Sequence, residues 1–334
     1  MMSSERQALI LLLFTLLKLS FKSCEASIGV NWGQNKREGS LSSTCDSGNY
    51  DTVHLGYLNV FGCGRIPSGN FGGHCGGYRN PCTILEPQIQ HCQQKGIKLF
   101  LSLGGPYGDY SLCSRRDAKQ VANYLYNNFL SGQYGPLGSV TLDGIDLEIK
   151  GGSNRYWDDL ANELASLKSH NYQFSLSAVP QCAMPDYYLD RAIGTGVFDD
   201  ILVQFYNSPT CQYSRGNTER LLDSWNGWAS VGEAFNSTVY MGLAASPEMS
   251  PFGGYIQPRV LTSEVIPFVK NGPNYGGIML WSRYYDIQNQ YSDKIKPYLS
   301  NYVWQSVTEA ISEAASAALH RILHKPYVAT TPTI

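Results

Sequence analysis

Asp143, Asp146, Glu148 and Lys150 are crowded into one otherwise apolar run, Leu142-Asp143-Gly144-Ile145-Asp146-Leu147-Glu148-Ile149-Lys150. Side chains alternate along a strand, so residues 144, 146, 148 and 150 share one face and Ile145, Leu147 and Ile149 the other. The second face is a core face. The first places two carboxylates and an ammonium in a row, and such groups are costly to desolvate unless they pair or take part in chemistry. Carboxylates in that setting do acid–base or orienting work, whereas an ammonium only donates. Ser139-Val140-Thr141-Leu142 precedes the run, so the reading is a central strand over 140–149 rather than a solvated edge.

Seven further β-rich runs position this strand: 28–33, 53–61, 97–103, 174–179, 201–207, 239–245 and 277–282. Helical patterns lie between them, at 84–94, 118–129, 157–169, 219–231 and 263–269. Alternating strands and helices imply a parallel sheet with right-handed crossovers. Eight such units in this chain of 334 residues fit an α/β single-domain (β/α)8 TIM barrel, for which about 250 residues is usual. No G-x-G-x-x-G follows the first run, which argues against a dinucleotide-binding sheet. In a barrel the active site lies at the C-terminal strand ends. Those ends offer Gln34, Tyr57, Gly105, Ala178, Gln204, Tyr206 and Trp281 around the acids. Amides bond hydroxyls and an indole face stacks on a pyranose, so the set suits a sugar.

The acidic strand resembles the D-x-x-D-x-D-x-E signature of the family 18 glycoside hydrolases, specifically the plant class III chitinases of the hevamine type. Trp32-Gly33-Gln34-Asn35, Gly73-His74-Cys75, Leu101-Ser102-Leu103-Gly104-Gly105, Tyr156-Trp157-Asp158-Asp159-Leu160-Ala161, Pro180-Gln181-Cys182, Gln204-Phe205-Tyr206-Asn207, Cys211-Gln212-Tyr213 and Met279-Leu280-Trp281-Ser282 carry the same resemblance over residues 27–302. It implies a barrel that cleaves chitin with substrate assistance: the acetamide of the sugar attacks, and the protein supplies an acid and an orienting carboxylate. It implies no cofactor and no metal. Tyr206 would bond the N-acetyl carbonyl, and Gln34, Asn70, Gln204 and Trp281 would line that sugar. Asp143 and Asp146 match the signature. Glu148 stands where the family has Asp, Lys150 where it has the proton-donating Glu, and Asn31 where it has Tyr.

Lysine ionises near about 10.4, and Asp146 and Glu148 beside it are expected to raise that further and to pair with it in a satisfied cluster. A cation also opposes the positive charge that develops on the sugar. The expectation is therefore a chitinase-like protein without hydrolase activity. It would bind chito-oligosaccharides or other N-acetylglucosamine-containing glycans in defence or symbiotic signalling, inhibit another glycosidase, or serve as storage. The alternative is an active endochitinase that uses another acid, with Glu38 and Asp109 the nearby candidates.

Composition sets the remaining bounds. A 43% hydrophobic, 16% charged chain suits a soluble domain with a sizeable core. A net charge of −2 gives no reason to expect nucleic acid or an anionic membrane as partner, and nothing points beyond a monomer. Arg6, the apolar run from Ala8 to Leu17 and Cys24-Glu25-Ala26 read as a signal peptide over residues 1–26, which implies a secreted protein, extracellular or vacuolar. Eight Cys remain after it, an even number suited to disulfides. The resemblance implies Cys45–Cys92, Cys75–Cys82 and Cys182–Cys211. Cys63 and Cys113 follow neighbouring strands and are expected to form a fourth bridge across the top. Asn236-Ser237-Thr238 is a glycosylation sequon. Residues 303–334 read as an extension, a helix over 307–323 and then a disordered tail, with a possible sorting role.

Overall fold

In the computed structural model, residues 26–76, 79–168 and 173–299 are described. The expected leader, apart from Ala26, and the expected C-terminal helix and tail lie outside these residues. Eight parallel strands close on themselves: β1 Ser27–Trp32, β2 Thr52–Phe61, β3 Lys98–Gly105, β4 Gly144–Ile149, β5 Ser175–Ala178, β6 Asp200–Gln204, β7 Thr238–Ala244 and β8 Tyr275–Trp281. Each pairs with the next, and β8 pairs back onto β1. This is the expected (β/α)8 barrel, and among the described residues no helix is long and apolar enough to cross a membrane. Two short strands, Ser68–Gly69 and Asp109–Tyr110, extend the upper end of β2.

β4 is shorter than the sequence implies. The expected strand over 140–149 begins only at Gly144. Leu142 instead donates its N–H to Phe129 O at 2.8 Å. Asp143 then ties the corner, its Oδ2 accepting from Leu99 N at 2.8 Å and Gln93 Nε2 at 3.0 Å. Gly144 follows because a Cβ there would lie 2.4 Å from the Phe100 ring and 2.5 Å from Ser175 O.

From Gly144 onward the alternation holds. Ile145, Leu147 and Ile149 face outward and are buried in one cluster with Ala118 and Ala122 of helix Arg115–Leu125 and with Leu160 and Leu164 of helix Trp157–Ser166. Each such side chain contributes about 1.5–3 kcal/mol of burial. The inner face carries Asp146 and Glu148 into the barrel, where β2 supplies His54, β3 Ser102 and β6 Gln204.

The disulfides of the structure are Cys45–Cys92, Cys63–Cys113, Cys75–Cys82 and Cys182–Cys211. Cys63–Cys113 joins the segments after β2 and β3 at the C-terminal mouth, with Asp117 Oδ2 accepting from both cysteine N–H groups. Asn236 is exposed and caps helix Glu219–Phe235 just before β7, at the end of the barrel away from that mouth.

At that far end, Asp200 opens β6. Burial first, and then the charge of Asp199, push its carboxyl up to about 6, against His54, Lys98 and Lys168. The folded state therefore holds this proton more tightly than the unfolded chain does. The contribution is present below the unfolded value of 3.8 and is lost as pH rises through about 6. The thermal midpoint of the wild type should thus fall relative to Asp200→Asn between pH 4 and 6.5. Parallel curves across that range would contradict the assignment.

Candidate functional site

The site is built from Glu148 outward. The residue is 3% exposed, and both carboxylate oxygens have donors: Tyr57 Oη reaches Oε2 at 2.7 Å and Gln204 Nε2 reaches Oε1 at 3.0 Å. Simple alternation along β2 puts Tyr57 and His54 on opposite faces. The pairing of β2 with β3 shifts register between Gly56 and Leu58, and the irregularity lets Tyr57 join His54 inside. The Tyr57 ring stacks on Trp281 with centroids 6.0 Å apart. On its other side lies Gly105, where a Cβ would come within 2.6 Å of the ring and where φ is +84°. Glu148, Tyr57, Gln204, Trp281 and Gly105 thus form one connected group.

Burial pushes the Glu148 carboxyl up, with Asp146 adding to it, while Lys150, Tyr57 and Gln204 oppose. Burial and the Glu148 charge hold the Tyr206 hydroxyl well above its ordinary value, so it stays a donor. Ala178 closes β5 and is fully buried. Gln34 Nε2 donates to Gly56 O at 2.7 Å, which fixes the loop after β1 against β2. Asn70 pairs through its backbone with Tyr57 in both directions, and its residue is exposed at the rim.

Asp146 lies one layer deeper, 1% exposed. Its Oδ1 accepts from Ser102 Oγ at 2.9 Å and faces His54 Nδ1 at 2.9 Å. That contact calls for a proton on Nδ1, and Nε2 lies 3.3 Å from Thr52 Oγ1. The sequence reading passed over His54. Its signal was a lone imidazole in Val53-His54-Leu55, a buried polar group with no stated purpose. Asp143, grouped above with the catalytic acids, is not brought to this layer. It clamps Leu99 at the opposite end of β4.

Lys150 departs from expectation. The strand stops at Ile149, and the ammonium crosses to the end of β5, donating to Val179 O at 2.9 Å. Among the described residues it makes no ion pair with Asp146 or Glu148, which have taken their donors from β2, β3 and β6. Its shift is the reverse of the one anticipated. Burial pushes it below the usual lysine range, and the charges of Glu148 and Asp186 only oppose that. Tyr110 fixes the backbone here: its hydroxyl donates to Gly105 O at 2.6 Å and accepts from Lys150 N at 3.0 Å. Tyr110 was also missed, since nothing local marks a tyrosine beyond the third strand as a brace.

The two substitute acids are committed elsewhere. Glu38 Oε1 gathers the N–H groups of Gly33, Gln34 and Asn35 and contacts His74 Nε2. Asp109 pairs with Arg65 at 2.7 Å, and that bond holds its carboxyl below the ordinary range. Among the described residues the one cluster with metal-ligand side chains is Cys63, Cys113 and Asp117, and its two sulfurs are spent in the disulfide.

A closed parallel barrel with paired carboxylates, amides and an indole at its C-terminal mouth is the architecture of a glycoside hydrolase. Residues 30–249 match the model of glycosyl hydrolases family 18, and the chain belongs to that family. The acidic endochitinase of Vitis vinifera is 47% identical over 293 residues, 86% of this chain and 96% of that one. Among solved structures, the ICChI chitinase from Ipomoea carnea superposes with a TM-score of 0.76 at 47% identity, covering 81% of this chain and 99% of its own. The xylanase–α-amylase inhibitor protein XAIP-I gives 0.75 at 42% identity, covering 81% and 97%. The tamarind chitinase-like lectin gives 0.73 at 38%, covering 81% and 99%.

Tyr57→Phe removes one of the two donors to a buried carboxylate. We expect it to lower unfolding free energy by about 1–3 kcal/mol, read as a urea midpoint. The loss should be larger at pH 8 than at pH 4, because the bond from Tyr57 favours the charged carboxylate over the neutral acid. Equal losses at both would mean that Tyr57 matters only through packing.

Proposed function

We propose that this chain is a secreted chitinase-like protein that holds chito-oligosaccharides, or other N-acetylglucosamine-containing glycans, in the barrel mouth without cleaving them, in defence or symbiotic signalling. The observation that carries this reading is Lys150: an ammonium tethered to Val179 O stands where the family signature has its acid. Substrate-assisted cleavage needs a carboxylic acid at the leaving oxygen and a carboxylate of the right length at the acetamide. Glu148 is one methylene longer than Asp and is held by Tyr57 and Gln204. A displacement of about an ångström is enough to cost such a reaction heavily. Glu38 and Asp109 have other partners. Tyr206, Gln204, Gln34 and Trp281 remain to hold a sugar, and one structural neighbour is named a chitinase-like lectin.

A second reading, inhibition of another glycosidase, is favoured by the rim. Ile66 is 87% exposed, Tyr107 84%, Phe252 73% and Tyr187 72%, and they sit on the segments after β2, β3, β7 and β5. Exposed aromatics such as Tyr107, Phe252 and Tyr187 are common anchors in protein interfaces. A neighbour of the same fold is named for inhibiting xylanase and α-amylase.

Calorimetric titration of the purified protein with N-acetylated chitotetraose, alongside a reducing-end assay, tests the first reading. We expect measurable binding and a turnover at least about 10² below that of an active relative. Turnover at the relative's rate would reject it and would make the chain an active endochitinase. No binding, combined with slowed xylanase or α-amylase, would favour the second reading.

A further inference from the structure

The acids that β4 and the segment after β5 bring to this end have donors of their own, although Oδ2 of Asp146 is buried with none among the described residues. Glu148 is served by Tyr57 and Gln204, and Asp146 by Ser102 and His54. Asp186 accepts from the backbone N–H groups of Gln181, Tyr188 and Leu189. Lys150 is the opposite case. It has three N–H donors and, among the described residues, one hydrogen-bond acceptor, Val179 O, and the residue is half-buried at the end of β4. A half-buried cation that makes no direct ion pair among the described residues, and feels the Glu148 and Asp186 charges only at a distance, leaves room for an acceptor of opposite charge. Neutral sugar hydroxyls meet it only in part, because charge-assisted hydrogen bonds are roughly twice as strong as neutral ones.

Resting on the sugar-binding reading above, we infer that the glycan this mouth selects carries an oxyanion, a carboxylate or a sulfate on the sugar, and that Lys150 Nζ binds it. Asp186 spreads its charge over three backbone donors, and burial opposes ionisation of Glu148. Both reduce the repulsion an incoming anion meets. The same geometry disfavours a deacetylated, aminated chain, whose ammonium groups would face Lys150.

The test titrates four tetrasaccharides against the full-length secreted protein: N-acetylated chitotetraose, its C6-carboxylate form, its 6-O-sulfate form and the deacetylated tetramer. We expect at least one acidic form to bind about tenfold tighter than the neutral one, with the deacetylated form weakest. Which acid gains identifies the oxyanion. The preference should shrink as NaCl rises. It should disappear in Lys150→Met and persist in Lys150→Arg; because preference and salt dependence are read on the wild type as well, a poorly folding variant does not stall the test. Neutral and acidic forms bound equally, or a preference that survives in Lys150→Met, would overturn this inference and leave the sugar-binding reading standing. If no tetrasaccharide binds, both fall.

Discussion

The structure turns on one constraint: carboxylates pointed into a closed barrel must find hydrogen-bond donors inside it. Removing a polar group from water is costly unless it finds partners, and β4 sends two carboxyl groups inward. Asp146 meets Ser102 from β3 and His54 from β2. Glu148, one layer higher, meets Tyr57 from β2 and Gln204 from β6. The strand register decides who is available, so the polar layer and the barrel specify one another. Phe100, stacked on His54 at 4.8 Å, seals the layer from below.

That arrangement has a consequence at the mouth. Among the described residues neither acid forms an ion pair with Lys150, and although the Glu148 charge still acts on it, its ammonium turns to the carbonyl at the end of β5. Tyr110 braces the backbone of β3 against the start of the following loop and holds Lys150 N in the process. The rigid floor formed by Trp281, Tyr57 and Gly105 stays in place around it. The result is a family 18 barrel with Lys150 at the end of β4 where the family signature has its acid.

Much of this was legible in the residues. The alternation of Ile145, Leu147 and Ile149 against Asp146 and Glu148 gave the orientation of β4, and the rhythm of strands and helices gave the barrel. Other features depend on contacts that a sequence does not display. Val140 to Leu142 look like strand, yet Leu142 is bonded to Phe129 and Asp143 turns the corner. Tyr57 enters the interior only because β2 slips register. The direction of the Lys150 shift is not legible because sequence proximity to two acids is not spatial pairing, and burial is the larger effect. Glu38 looked like a spare acid and is the anchor of the loop that carries Gln34.

The most direct test of a sugar site lacking its acid chemistry is to put that chemistry back. A Lys150→Glu, Glu148→Asp double variant would be assayed for cleavage of N-acetylated chito-oligosaccharides beside the wild type. The account predicts that the double variant releases reducing ends at least about 10² faster. A double variant that is folded, binds the oligosaccharide and still cleaves no faster than the wild type would contradict it.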